Sequence, residues 1–142
     1  MLSWYACDEI LSVFTRLHVL ILKNLGMKVL PGSIGDLKSL RYLDLSRNNF
    51  NKLPICIGEL LHLQTLQLSH CLKLKELPDD VNYFASLRHL EVDECTNLMH
   101  MPSALRKLTW LRSLPHFVTS KRNSLGELID LNEVRGELEI SH

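Results

Sequence analysis

The chain has 142 residues, with 16 Lys+Arg against 16 Asp+Glu, and is 46% hydrophobic and 6% aromatic. That is the length of one domain and the apolar content of a folded chain. A net charge of zero offers no field that a phosphate backbone or an anionic membrane would select, and no stretch approaches the ~20 consecutive apolar residues of a membrane span. Four cysteines are too few for a disulfide scaffold. Asp8 and Glu9 fall where a signal peptide would need its apolar core, and no Asn-x-Ser/Thr acceptor occurs, so the expected compartment is the cytoplasm.

Residues 1–16 read as an N-terminal flank, with Leu11-x-x-Phe14 matching an outer segment that recurs downstream. Trp4 and Tyr5 stand where they could cover the first leucine layer, but no segment reads as a polar cap. Residues 17–118 carry an internal period. Leu17, Leu40, Leu63, Leu87 and Leu111 are spaced 23, 23, 24 and 24 apart, and each is followed three residues on by Leu20, Leu43, Leu66, Leu90 and Leu114. Two further on stand Leu22, Leu45, Leu68 and Val92, and then His116. A second ladder keeps phase through Leu30-Pro31, Leu53-Pro54, Leu77-Pro78 and Met101-Pro102, and a third through Ile34-x-x-Leu37, Ile57-x-x-Leu60, Val81-x-x-Phe84 and Leu105-x-x-Leu108. The alternating Leu-x-Leu core is that of a strand with one buried face. Units this short cannot hold a core alone, so neighbours must stack with their strands parallel. The i, i+3 segments are spaced for a helical turn on the outer face. Pro115 removes a ladder donor from the expected fifth strand, where pairing should weaken. Residues 119–127 interrupt the period as an irregular insertion, in which Lys121 and Arg122 could dock a partner domain, although a solvated loop is the plainer reading. Residues 128–142 start a further repeat.

These repeats follow the leucine-rich-repeat pattern. The text Ser33-Ile-Gly-Asp-Leu-Lys-Ser-Leu-Arg-Tyr-Leu-Asp-Leu-Ser46, the Leu63-to-Cys71 segment, Leu74-Lys-Glu-Leu-Pro78, Leu87-Arg-His-Leu90, and the tail from Leu111 to Val118 with its Leu131-to-Ile140 return resemble the repeats of plant nucleotide-binding leucine-rich-repeat disease-resistance proteins, coiled-coil class. The implied fold is an α/β solenoid of about five to six repeats, with short parallel strands on the concave face, helical or irregular segments on the convex face, and incomplete caps. The family's Asn or Cys after each strand lines an interior ladder and bonds the turn backbone. Asn48, Cys71 and Cys95 take that position here, while Leu25 takes it in the first repeat, whose turn is expected to be looser. Without a C-x-x-C pair, that structural reading outweighs a zinc site.

The expected binding surface is the outward row of strand residues. Its candidates are Tyr42, Asp44, Arg47, Gln67, His70, His89, Glu91 and Asp93, grading from apolar Val19 and Ile21 to an acidic end. No catalytic, metal or cofactor residue is indicated. The six glycines form neither phosphate-binding pattern, and no Gly-x-Ser-x-Gly occurs. The resemblance implies a protein-interaction module of an intracellular immune receptor, taking a pathogen effector, a guarded host protein or the receptor's own nucleotide-binding domain, with no nucleic acid and no membrane. A general cytosolic repeat scaffold for signalling proteins is the alternative.

Overall fold

The computed structural model describes residues 4–79, 85–119 and 125–142. The Leu-x-Leu cores form β1 (Val19–Ile21), β2 (Tyr42–Asp44), β3 (Thr65–Gln67) and β4 (His89–Glu91), which pair in that order as one parallel sheet. Register follows the leucine ladder, with Leu20 opposite Leu43, Leu43 opposite Leu66, and Leu66 opposite Leu90. Leu43, Leu45, Leu66, Leu68, Leu90 and Val92 are buried, and each such side chain contributes roughly 1.5–3 kcal/mol. Leu17, Leu20 and Leu22, at the first layer of the stack, are only half-buried.

Among the described residues, the Leu30-Pro31, Leu53-Pro54 and Met101-Pro102 steps each open an outer 3₁₀ turn. These turns run over Gly32–Asp36, Ile55–Glu59 and Ser103–Lys107. Pro31, Pro54 and Pro102 hold φ at −57°, −70° and −58°, and their carbonyls accept from Ile34, Ile57 and Leu105. Proline suits this place because its fixed φ is required and its missing N–H is not. A fourth turn spans Leu125–Leu128. The equivalent segment Val81–Phe84 lies outside the described residues, as do Lys121 and Arg122.

Ahead of the array stands α1 (Trp4–Val13), ten residues of α-helix where the sequence predicts a single outer turn. Leu11 on α1 is buried in the core, and Asp8 accepts the Ser33 N–H at 3.1 Å, fixing the helix to the first 3₁₀ turn. The side chains of Trp4 and Tyr5 lie outside the described residues.

The fifth repeat departs from the pattern at Pro115. Its chain meets β4 at a single bridge, His89 to Ser113, and then forms β5 (His116–Val118), which pairs in parallel with β6 (Glu139–Ser141) as a separate sheet. Past the proline the inward position moves by one residue. Phe117, fully buried, fills the place that strict spacing gives to His116.

Candidate functional site

The sheet register sorts the outward side chains into rows. One row runs Val19, Tyr42, Thr65, His89, and the next runs Ile21, Asp44, Gln67, Glu91. Adjacent strands stand about 4.8 Å apart, so each row is a fixed ruler of side chains with little freedom to slide. Val19 and Ile21 are exposed at the apolar end. Tyr42, Gln67, His89, Glu91 and Asp93 are half-buried, with one side open to solvent. The structure thus brings Tyr42, Gln67, His89 and Glu91 onto one face.

Asp44 is a correction. It is only 8% exposed, and its Oδ1 accepts the Ser46 N–H at 2.9 Å. The alternation rule places it outward, but the carboxylate folds onto its own backbone two residues on, as short acidic side chains do. It shapes the strand end and does not present a free charge. Arg47 and His70 also need correcting. They lie beyond the strands, in turns with φ of 58° and 59°. Asn24 (57°) and Glu94 (55°) occupy the matching places, so each of these four repeats turns through one left-handed residue. Arg47 remains exposed and His70 half-open, both at the rim of the face. Because glycine, the default residue for a left-handed conformation, is absent there, composition gives no sign of this row.

Electrostatics grade along the face. Burial pushes the Tyr42 hydroxyl above its ordinary value, and the neighbouring Asp44 and Glu91 add to the rise, so it acts as a neutral hydrogen-bonding group. Ser113 Oγ donates to Glu91 Oε1 at 3.0 Å, which orients that carboxylate from the fifth repeat, a contact sequence spacing does not reveal.

Behind the face runs the polar ladder. Asn48, 1% exposed, donates through Nδ2 to the Leu22 and Leu45 carbonyls at 2.8 Å each and accepts through Oδ1 from Leu25 and Met27 at 3.1 and 3.0 Å. Cys71 Sγ donates to the Leu45 carbonyl at 3.3 Å, and Cys95 Sγ to that of Leu68 at 3.1 Å. The thiols therefore serve the backbone, as the ladder reading expects. The first-repeat turn is not loose: Asn48 grips it from the next repeat, and Asn24 donates its N–H to Ser46 at 2.9 Å. No described helix is long and apolar enough to cross a membrane.

Residues 5–141 match the family model described as leucine-rich repeat region. The chain is 54% identical over 50 residues to TMV resistance protein N of Nicotiana glutinosa, 35% of this chain and 4% of that protein. It is 36% identical over 95 residues to disease resistance-like protein DSC1 of Arabidopsis thaliana, 67% of this chain and 8% of that protein. It is 32% identical over 120 residues to adenylate cyclase of Schizosaccharomyces pombe, 83% of this chain and 7% of that protein. Among solved structures, a leucine-rich-repeat protein of Leptospira interrogans superposes with a TM-score of 0.77 at 27% identity, covering 93% of this chain and 34% of that one. The chain thus spans less than a tenth of each of these curated relatives.

Proposed function

The chain belongs to the leucine-rich-repeat family, and from that premise we propose that it is a non-enzymatic protein-recognition module of an intracellular plant disease-resistance receptor, acting in the defence response. The observation that carries this reading is the rigid parallel face bearing Tyr42, Gln67, His89 and Glu91 in fixed register. Pre-ordered side chains bind with less entropy lost than mobile ones. The plant resistance proteins among its relatives support the defence setting. Candidate partners are a pathogen effector, a guarded host protein or the receptor's own nucleotide-binding domain. Contact with the last would restrain a nucleotide switch, and a partner shifts such a switch only by its differential affinity for the two states. Nucleic acid and membrane are not among the partners of this reading, and no cofactor enters it.

The similarity to adenylate cyclase favours a second reading, a general repeat scaffold for signalling proteins. Co-precipitation from plant cells with a separately expressed plant nucleotide-binding module decides between them. The first reading expects capture by the wild-type chain and loss of capture by Tyr42→Ala with His89→Ala, at unchanged circular dichroism. Equal capture by both, or capture by neither, counts against it.

A further inference from the structure

One residue ahead of the outward face runs a row that the recognition reading leaves unused. It consists of His18, Arg41, Gln64, Arg88, Arg112 and Arg135, tied by one backbone bond per repeat. The Arg41 N–H donates to the His18 carbonyl, Gln64 to Arg41, Arg88 to Gln64, Arg112 to Arg88 and Arg135 to Arg112, at 2.8, 2.8, 2.8, 2.6 and 3.0 Å. The break at Pro115 does not interrupt this ladder, which continues from the four-stranded sheet into the chain ahead of β6. Arg41, Arg112 and Arg135 are exposed and Arg88 is half-buried. Among the described residues none of the four is held in an ion pair.

A chain of zero net charge thus keeps its charges apart. The adjoining row of Val19, Tyr42, Thr65, His89 and Ser113 carries no carboxylate. Two positions ahead of the four arginines stand Ser39, Ser86, Trp110 and Glu133, of which only the last is acidic. The acids of the face, Asp44, Glu91 and Asp93, gather towards the far ends of the strands. Glu91 stands three residues beyond Arg88, about 10 Å along an extended chain. Trp110 is 62% exposed, and an indole in water beside guanidinium groups offers a partner an apolar anchor.

We propose that this row receives an acidic α-helix of a partner protein, laid across the strands. The spacing selects it. Neighbouring strands are about 4.8 Å apart, so the four steps from Arg41 to Arg135 cover about 19 Å. A helix returns a side chain to one face about every 5.4 Å, about 22 Å over four turns, and the long arginine side chains take up the difference. An extended strand returns one about every 6.8 Å and is about 8 Å out of phase by the last step. Glutamates at i, i+7, i+11 and i+14 meet the four arginines, each guanidinium binding a carboxylate through two N–H groups, and a polar residue at i+4 meets Gln64. A nucleic acid duplex, whose major groove alone is about 12 Å wide, covers the strands as well as the row and so meets Glu91. The row shares no member with the candidate recognition residues, so it holds or fails apart from the function proposed above.

The test uses the full chain and a fluorescent Ala- and Gln-rich helical peptide of about 20 residues, with glutamates at those four positions. Saturable binding is expected at low salt, weakening as salt screens the exposed charges. Arg41→Gln/Arg88→Gln/Arg112→Gln/Arg135→Gln should weaken it at least tenfold at unchanged circular dichroism. Lys23→Gln/Lys28→Gln/Lys73→Gln/Lys75→Gln removes equal charge from other exposed positions and should change it less than twofold. A peptide of the same composition with its glutamates spread around the helix should bind at least threefold more weakly. No binding, equal loss in the two variants, equal binding of the two peptides, or displacement of the peptide by a DNA duplex at matched charge overturns the proposal. If the arginine variant does not fold, phenylglyoxal modification of the wild-type chain decides. The peptide should then slow modification of Arg41, Arg88, Arg112 and Arg135 at least threefold and leave Arg47 unchanged, and uniform shielding or none overturns the proposal.

Discussion

Asn48 Nδ2 donates to the Leu22 carbonyl at 2.8 Å, tying the second repeat to the first across 26 positions of chain. The same side chain accepts from the Leu25 and Met27 amides and donates to the Leu45 carbonyl, so it bonds four backbone groups of two repeats, of which only the Leu45 carbonyl has a second donor, Cys71 Sγ. Cysteine takes this place in the next two repeats and serves only a carbonyl. Asn48→Cys should therefore keep donation but orphan two N–H groups, while Asn48→Ala orphans three groups, the Leu22 carbonyl and the Leu25 and Met27 amides, the Leu45 carbonyl keeping the Cys71 thiol. Each orphaned buried group costs about 1–3 kcal/mol, less where water reaches it. The expected order of urea midpoints is wild type, then Asn48→Cys, then Asn48→Ala, the last about 3 kcal/mol down. Equal midpoints would remove Asn48 from its central place.

Alkali should loosen the fourth repeat. Burial pushes the Cys95 thiol up to about 12. In the unfolded chain a thiol ionises near about 8.5. Below that value both states hold the proton and the stabilisation is complete. Above it the unfolded state loses its proton first, so stability falls as pH rises towards the folded value. Cys95→Ala should be about 1 kcal/mol less stable at neutral pH, since the Leu68 carbonyl loses one of its two donors and keeps the Cys71 N–H, and should show a flatter decline in alkali. Urea unfolding at neutral pH and near pH 10 checks both. Parallel alkaline limbs would count against burial of this thiol.

The leucine ladder was legible because a strand alternates with period two while the whole unit repeats, and two periods in phase leave one solution. Leu43, Leu66 and Leu90 stand opposite one another as that solution requires. The weak fifth strand was legible from Pro115, but the shift that buries Phe117 in place of His116 was not, since proline states what is lost and not where the chain recovers. Asp44 was misplaced because alternation knows nothing of a carboxylate that prefers its own backbone. The ten-residue length of α1 escaped because only its last turn keeps the repeat's spacing.

Gly35 stands where the first two outer turns approach closely. A Cβ there would lie 2.9 Å from the Cys56 carbonyl oxygen and 3.0 Å from its Cβ, with backbone on the far side that cannot swing away. Gly35→Ala should destabilise by about 1–3 kcal/mol. Gly32, in the same turn, has nothing within 4 Å of the added carbon. Gly32→Ala should therefore be close to neutral. Thermal unfolding of the pair tests the contact, and equal melting temperatures would refute it.

The left-handed row gives the opposite sign. Arg47 holds φ at 58°, a conformation that costs a residue with a Cβ roughly 1–2 kcal/mol. Glycine removes that strain but adds freedom to the unfolded chain, about 0.5–1 kcal/mol. Arg47 is exposed, so losing its side chain forfeits little packing. Arg47→Gly should thus stabilise by up to about 1 kcal/mol. Asn24, whose short amide tolerates this region, should gain less from the same change. Arg47 stands at the rim of the face proposed above for partner recognition, where its side chain can reach a docked protein. Arg47→Gly should therefore raise the urea midpoint and weaken partner capture together. A lowered midpoint would contradict the turn geometry, and unchanged capture would remove Arg47 from the binding surface.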